Sequence, residues 1–190
     1  GHAEAQANLG IMYQNGVGTE VDKMKAVEWF EQAADKGNAE ALFQCGMLYC
    51  IGDGVPEDTK KGVQYYIKAA DAGHQYAPYL AGSALIRGDS VEKNIEKGLS
   101  FVRKAAYNGV SAAQFYLGFL YGGKDDILEA NEALFVQWLE KAAAQDHTDA
   151  LKVLAEVYKN GTIVEGNPAR SKELLDRIAF LSAKKPNEPK

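Results

Sequence analysis

Leu9-Gly10-Ile11-Met12-Tyr13-Gln14-Asn15-Gly16-Val17-Gly18 returns 36 residues later as Cys45-Gly46-Met47-Leu48-Tyr49-Cys50-Ile51-Gly52-Asp53-Gly54. The columns continue through Ala81-Gly82, Leu85 and Gly88, then Leu117-Gly118 and Tyr121. After one inserted residue they end in Leu154-Ala155, Tyr158 and Gly161. A second set of columns runs beside the first. Trp29-Phe30, Ala33-Ala34 and Gly37 recur as Tyr65-Tyr66, Ala69-Ala70 and Gly73, and again as Phe101-Val102, Ala105-Ala106 and Gly109. The next copy is Trp138-Leu139 and Ala142-Ala143, with Asp146 in place of glycine. A fixed period of this length marks a repeat architecture, each repeat being one supersecondary unit. The units are 3–38, 39–74, 75–110, 111–147 and 148–183, with 184–190 as a disordered tail broken by Pro186 and Pro189.

Each unit reads as two helices. The first closes on Gly16, Gly52, Gly88 or Gly161, since glycine supplies the left-handed residue after a helix. The second opens at Asp22, Asp58, Asn94, Asn131 or Asn167, whose side-chain oxygens can accept unpaired backbone N–H groups. The interval from Asn94 to Asn131 is one residue longer, so the insertion lies in the Gly122–Ala130 loop. Gly10, Gly46, Gly82 and Gly118 sit in mid-helix, where glycine costs about 1 kcal/mol relative to alanine. Their recurrence predicts a close helix approach, which the Ala33-Ala34 column would permit. Pro78 predicts a late or bent start for the third unit's first helix.

Composition agrees with helix. The chain holds 28 alanines against 24 valines, isoleucines and threonines together. No apolar run approaches the ~18 residues of a membrane span, so membrane insertion is not expected. The net charge of −5, without a block of like charges, argues against nucleic acid or an anionic membrane as partner. Cys45 and Cys50 are five residues apart on one helix, so their side chains diverge and no disulfide joins them.

These columns resemble the Sel-one-like repeat family, a relative of tetratricopeptide repeats. The motif is carried by Leu9-Gly10, Tyr13, Gly16 and Gly18, the Asp22 cap, Lys25-Ala26, Trp29-Phe30 and Ala33-Ala34, with their echoes through residue 183. Unit five departs most, with Ala155, Ile163 and Leu174-Leu175 at family positions. The resemblance implies an all-α fold, a right-handed superhelix or solenoid of five antiparallel helix-turn-helix repeats. It also implies a bacterial adaptor or scaffold for protein–protein interaction, with the periplasm or secretion favoured and the cytoplasm left open, no catalytic residues and no cofactor. A cysteine-rich bacterial branch, stapled within each repeat and linked to penicillin binding, fits poorly, because no second helix here carries a partner cysteine.

Other constellations carry little chemistry. His2, His74 and His147 share one register but lie in alternate units, too far apart for metal–nitrogen bonds of about 2.0–2.1 Å. They read as loop residues, and no metal site is expected. Ser90-x-x-Lys93 and Ser182-x-x-Lys185 lack the rest of the penicillin-recognising signature. Asp125, Asp126 and Glu129 lack the spacing of a calcium loop and read as a solvated charge run.

The informative feature is a helix face. Taking Leu9 as the inward direction, positions equivalent to 4, 7, 11 and 14 point away from the hairpin. Units two to four place Phe43, Met47, Tyr76, Tyr79, Ile86, Phe115 and Phe119 there, whereas unit five has Asp149, Lys152, Glu156 and Lys159. The stripe either packs between stacked repeats as extra core or lines a concave groove for a protein or peptide, with Lys152 and Lys159 available to an acidic flank. The groove reading makes the chain a non-catalytic scaffold; the sequence leaves its oligomeric state open, with a monomer favoured. The alternative is a regulatory or enzymatic module for a small cell-wall-type ligand. Charge in unit five marks it as the terminal repeat. On the second helices, Phe30, Tyr66, Val102, Leu139 and Leu175 share a register that should be buried.

Overall fold

A computed structural model describes residues 2–123, 125–161 and 163–184. Among them the chain forms ten α-helices and no strand. The helices are α1 Ala3–Asn15, α2 Lys23–Ala34, α3 Ala39–Ile51, α4 Thr59–Asp71, α5 Ala77–Arg87, α6 Ile95–Tyr107, α7 Ser111–Tyr121, α8 Glu132–Ala143, α9 Thr148–Asn160 and α10 Pro168–Lys184. Two compact units arise, Gly1–Ala105 and Ala106–Lys190. Most of the expected tail lies outside the described residues, and Lys184 is still helical.

The repeat columns translate into a repeated clasp. All five expected cap residues accept a backbone N–H at the third position of their helix, for example Asp58 Oδ1 from Lys61 at 2.9 Å and Asn94 Oδ1 from Lys97 at 3.0 Å. The same five residues also donate their own N–H back to the tyrosine column of the preceding helix. Asp22 reaches the Tyr13 carbonyl at 2.9 Å, Asp58 Tyr49 at 2.8 Å, Asn94 Leu85 at 2.9 Å, Asn131 Tyr121 at 2.9 Å and Asn167 Tyr158 at 2.8 Å. One residue thus starts a helix and ties it to its hairpin partner. Gly16, Gly52, Gly88 and Gly161 close the first helices with φ of 69°, 71°, 77° and 64°. Pro78 lies in the first turn of α5, which begins only at Ala77.

The mid-helix glycines mark where the two helices of a hairpin cross. A methyl on Gly10 would stand 2.7 Å from the Phe30 ring, and one on Gly46 would stand 2.6 Å from the Tyr66 ring. In the next hairpin, Gly82 would meet the Gly98 carbonyl oxygen at 2.7 Å. The close partner is therefore the aromatic position of the second helix, joined by Gly62 or Gly98, rather than the alanine column proposed from sequence. Ala33, Ala69, Ala105 and Ala142 are fully buried.

Phe30 and Val102 are 0% exposed and Leu139 1%, as the shared register requires, and Tyr66 is also buried. Leu175 does not follow: it is 50% exposed, and Leu174 is buried in its place. At the α9–α10 crossing Ala155 replaces the glycine, and no helix follows α10 within the described residues to cover its outer side.

The structure adds a device that sequence reading missed. Glu31 on α2 accepts from Tyr49 Oη at 2.8 Å and Lys61 Nζ at 3.0 Å, and Lys61 also donates to Tyr49 Oη at 2.6 Å. The same register recurs in the second compact unit, where Glu140 accepts from Tyr158 Oη at 3.0 Å and Arg170 at 2.9 Å. Each clamp links one repeat to the next. Burial pushes the Glu31 carboxyl upward, but the Tyr49 and Lys61 hydrogen bonds outweigh it and hold the group below the usual glutamate range.

Three outcomes are expected. Phe30→Ala should lower unfolding free energy by about 3–5 kcal/mol in urea titrations, because a fully buried ring is lost. Gly46→Ala should destabilise by about 1–3 kcal/mol, since the added methyl overlaps a packed ring. Glu31 has a depressed folded-state pKa, so its contribution is complete above the unfolded value of about 4.3 and is lost as pH falls through the folded value. The melting-temperature gap between native protein and Glu31→Gln should therefore be present at neutral pH and close in acid.

Candidate functional site

The first-helix face divides into two local surfaces, one in each compact unit. In the first, Phe43 lies flat against the His74 imidazole, with ring centres 4.2 Å apart and planes 9° apart. Tyr76 stands edge-on to Phe43 at 6.2 Å and to Tyr79 at 5.6 Å. Tyr76 is 38% exposed, while Phe43, Met47 and Tyr79 are half-buried. Ile86 is 1% exposed and belongs to the core: its side chain fills the space beside Gly98 that a methyl there would claim. Ser83, on the same face, is also buried. The face therefore serves in part as packing, as its core reading required, and in part as open surface.

The same stack recurs in the second compact unit. Phe115 covers His147 at 4.8 Å and 19°, and is half-buried. Phe119 is 38% exposed. Lys152 and Lys159 are exposed, but each pairs with an acid on its own helix, Lys152 with Asp149 at 3.1 Å and Lys159 with Glu156 at 3.9 Å. Such exposed pairs are worth at most about 1 kcal/mol, so a partner's carboxylate could recruit the lysines at small cost.

The histidine register has a structural purpose. His74 Nδ1 accepts the Ala77 N–H at 3.0 Å and His147 Nδ1 accepts the Ala150 N–H at 3.3 Å, the job done by the Asn38 side chain at α3. That fixes the His74 proton on Nε2, which faces Glu40 Oε2 at 3.3 Å. His147 is thus the N-cap of α9, while His74 accepts the Tyr76 and Ala77 amides at the start of α5, and both imidazoles are roofed by phenylalanine rather than being plain loop residues. Among the described residues no three His, Cys, Asp or Glu side chains are grouped to hold a metal. Cys45 and Cys50 are both free thiols, and burial pushes Cys45 up to about 12, so it stays protonated at neutral pH.

The Sel1 repeat family model matches residues 3–38, 39–74, 76–110, 111–147 and 148–179. The chain belongs to the Sel1 repeat family. A Sel1 repeat protein from Oxalobacter formigenes is 26% identical and superposes with a TM-score of 0.85, over 94% of this chain and 73% of that one. The protein c5321, a protective antigen of uropathogenic Escherichia coli with the same fold, is 29% identical with a TM-score of 0.84. That match covers 95% of this chain and only 38% of c5321. A Klebsiella pneumoniae Sel1 protein, 18% identical at a TM-score of 0.56, shares the fold alone. No curated protein matches significantly. Sel1 repeat proteins are generally scaffolds for protein–protein interaction, and their all-α solenoid fold is typically non-catalytic. No described helix is long and apolar enough to cross a membrane.

The capping role of the histidine separates cleanly from its stacking role. His147→Ala should cost about 0.5–2 kcal/mol of stability, within the range of a lost helix cap. His147→Asn should recover most of that loss in thermal unfolding, because asparagine caps α3 at the same repeat position.

Proposed function

We propose that this Sel1 repeat chain is a non-catalytic scaffold, its repeats over residues 1–183 acting as one interaction domain. It captures a protein or peptide segment on apolar side chains that its first helices present. The observation carrying this reading is selective exposure. Tyr76 and Phe119 are each 38% exposed on a face where α9 carries only Asp149, Lys152, Glu156 and Lys159. A soluble surface has no need of large aromatics at positions the same fold tolerates as charge, and exposed aromatic patches commonly serve recognition. Tyr76 is backed by Phe43 and Tyr79, so it is held rigid before contact and loses little entropy on binding. Met47 supports the first surface, and Phe115, Lys152 and Lys159 the second. The acidic net charge of −5 and the mixed-sign surface favour protein over nucleic acid.

The test uses immobilised full chain against bacterial lysate, followed by calorimetry with each purified captured protein. Tyr76→Ala combined with Phe119→Ala should weaken binding at least about tenfold, equivalent to about 1.4 kcal/mol, without shifting the melting temperature. Unchanged affinity of every captured protein would remove these two aromatics from the interaction surface.

A further inference from the structure

One cleft is built from the places where the sequence departs from its own repeat. The second helices carry a small residue at their fourth position, Ala26, Gly62, Gly98 and Ser171, and Phe135 in the remaining copy. Packing explains the small residues: a methyl on Gly62 would meet the Gly46 carbonyl oxygen at 2.8 Å, and one on Gly98 the Gly82 carbonyl oxygen at 2.8 Å. Phe135 breaks that rule, and its crossing is less tight, with the nearest atoms to a methyl on Gly118 at 3.3 Å. Ile163 likewise stands where the first two repeats have Gly18 and Gly54.

Both departures meet in space. Phe135 and Ile163 line a half-enclosed cleft of about 300 Å³ together with Phe119 and Val153. All four side chains are only partly covered. Phe135 and Val153 pack on the core with one side and keep the other open, and partly exposed apolar groups converging on one open cavity are a place prepared for another apolar group. The volume lies at the small end for ligand sites, which suits one leucine- or phenylalanine-sized side chain.

Charge sets the rest of the occupant. Glu132 lines the cleft, and the adjoining depression includes Glu129. Residues 122–132 carry Asp125, Asp126, Glu129 and Glu132 against the single base Lys124. All four acids are exposed, and none pairs with another described residue. We propose that this cleft binds a peptide segment of a partner protein in which an apolar anchor is flanked by arginine or lysine. The anchor enters between Phe119, Phe135 and Ile163, and the basic flank lies over Glu129 and Glu132. The inference rests on the scaffold reading and adds the chemistry of the segment recognised.

The experiment titrates blocked pentapeptides into the isotopically labelled full chain and follows backbone amide shifts by NMR, which detects millimolar affinities. One peptide has a central leucine flanked by arginines, a second the same leucine flanked by glutamates, and a third arginines around serine. The arginine–leucine peptide should shift amides around 119, 129–135 and 163, and bind at least about tenfold tighter than either control. Glu129→Lys with Glu132→Lys should invert the preference between arginine and glutamate flanks. Ile163→Ser should weaken the arginine–leucine peptide about fivefold or more at unchanged melting temperature, with Phe119→Ser as a second variant should the first unfold. No shift at millimolar peptide overturns the proposal. Equal binding of the serine peptide overturns it as charge attraction alone, and equal binding of the glutamate peptide overturns the basic flank. Any of these failures leaves the scaffold reading intact, since that reading is tested by captured proteins, and Tyr76→Ala alone reports on a surface outside the cleft.

Discussion

The two helices of each hairpin in the first compact unit cross with no room for a methyl group between them. Gly10 and Gly46 lie under the rings of Phe30 and Tyr66, and Gly82 lies on the backbone of Gly98. Glycine in mid-helix is unfavourable by about 1 kcal/mol, so its return at each of these three crossings implies a larger gain from close packing. Beside this approach the Asp58 N–H reaches the Tyr49 carbonyl, so that one cap residue also ties the hairpin shut. The approach fixes which side of each first helix is spent on its own partner, and therefore which side is left for neighbouring repeats or for another protein.

Repetition makes the exceptions readable. Where a column is obeyed, its residue is explained by packing; where it is broken, another cause is needed. Asp146 replaces a glycine and keeps the left-handed backbone at φ 61°, with Arg177 bonding its carboxylate at 2.6 and 2.7 Å. That exception is structural, since the ion pair compensates a conformation a non-glycine residue disfavours. Ser90 and Asp126 also adopt a left-handed backbone, with φ of 60° and 51°. Phe135 and Ile163 are exceptions of another kind, because they leave apolar area open instead of closing it.

Aromatic residues of the first helices divide their labour by depth. Phe43 and Phe115 roof the imidazoles that accept amides at the start of α5 and α9, and so belong as much to the fold as to any surface. Tyr76 and Phe119 stand outside them. A stack beneath an exposed ring limits its rotamers, which turns a helix face into a firm contact surface.

Period, hairpin count, caps and helix ends were legible in the sequence because each is a local rule. A residue such as Asn131 bonds an amide three positions on, and Gly52 adopts a conformation that its own missing Cβ allows. The glycine column announced a close approach, but not its partner, since choosing Phe30 or Gly98 over Ala33 requires the rotation of one helix about the other. For the same reason Ile86 and Leu175 were misjudged. A helical wheel gives a direction, whereas burial depends on what stands in that direction: Gly98 packs beside Ile86, and no described helix covers Leu175. The Glu31–Tyr49–Lys61 clamp, the phenylalanine-roofed histidines and the Phe119–Phe135–Ile163 cleft join residues from separate elements of the chain. Local sequence fixed the elements and their ends; only the packing of one helix against the next decided which side chains meet, because contacts between elements depend on rotations that no single element encodes.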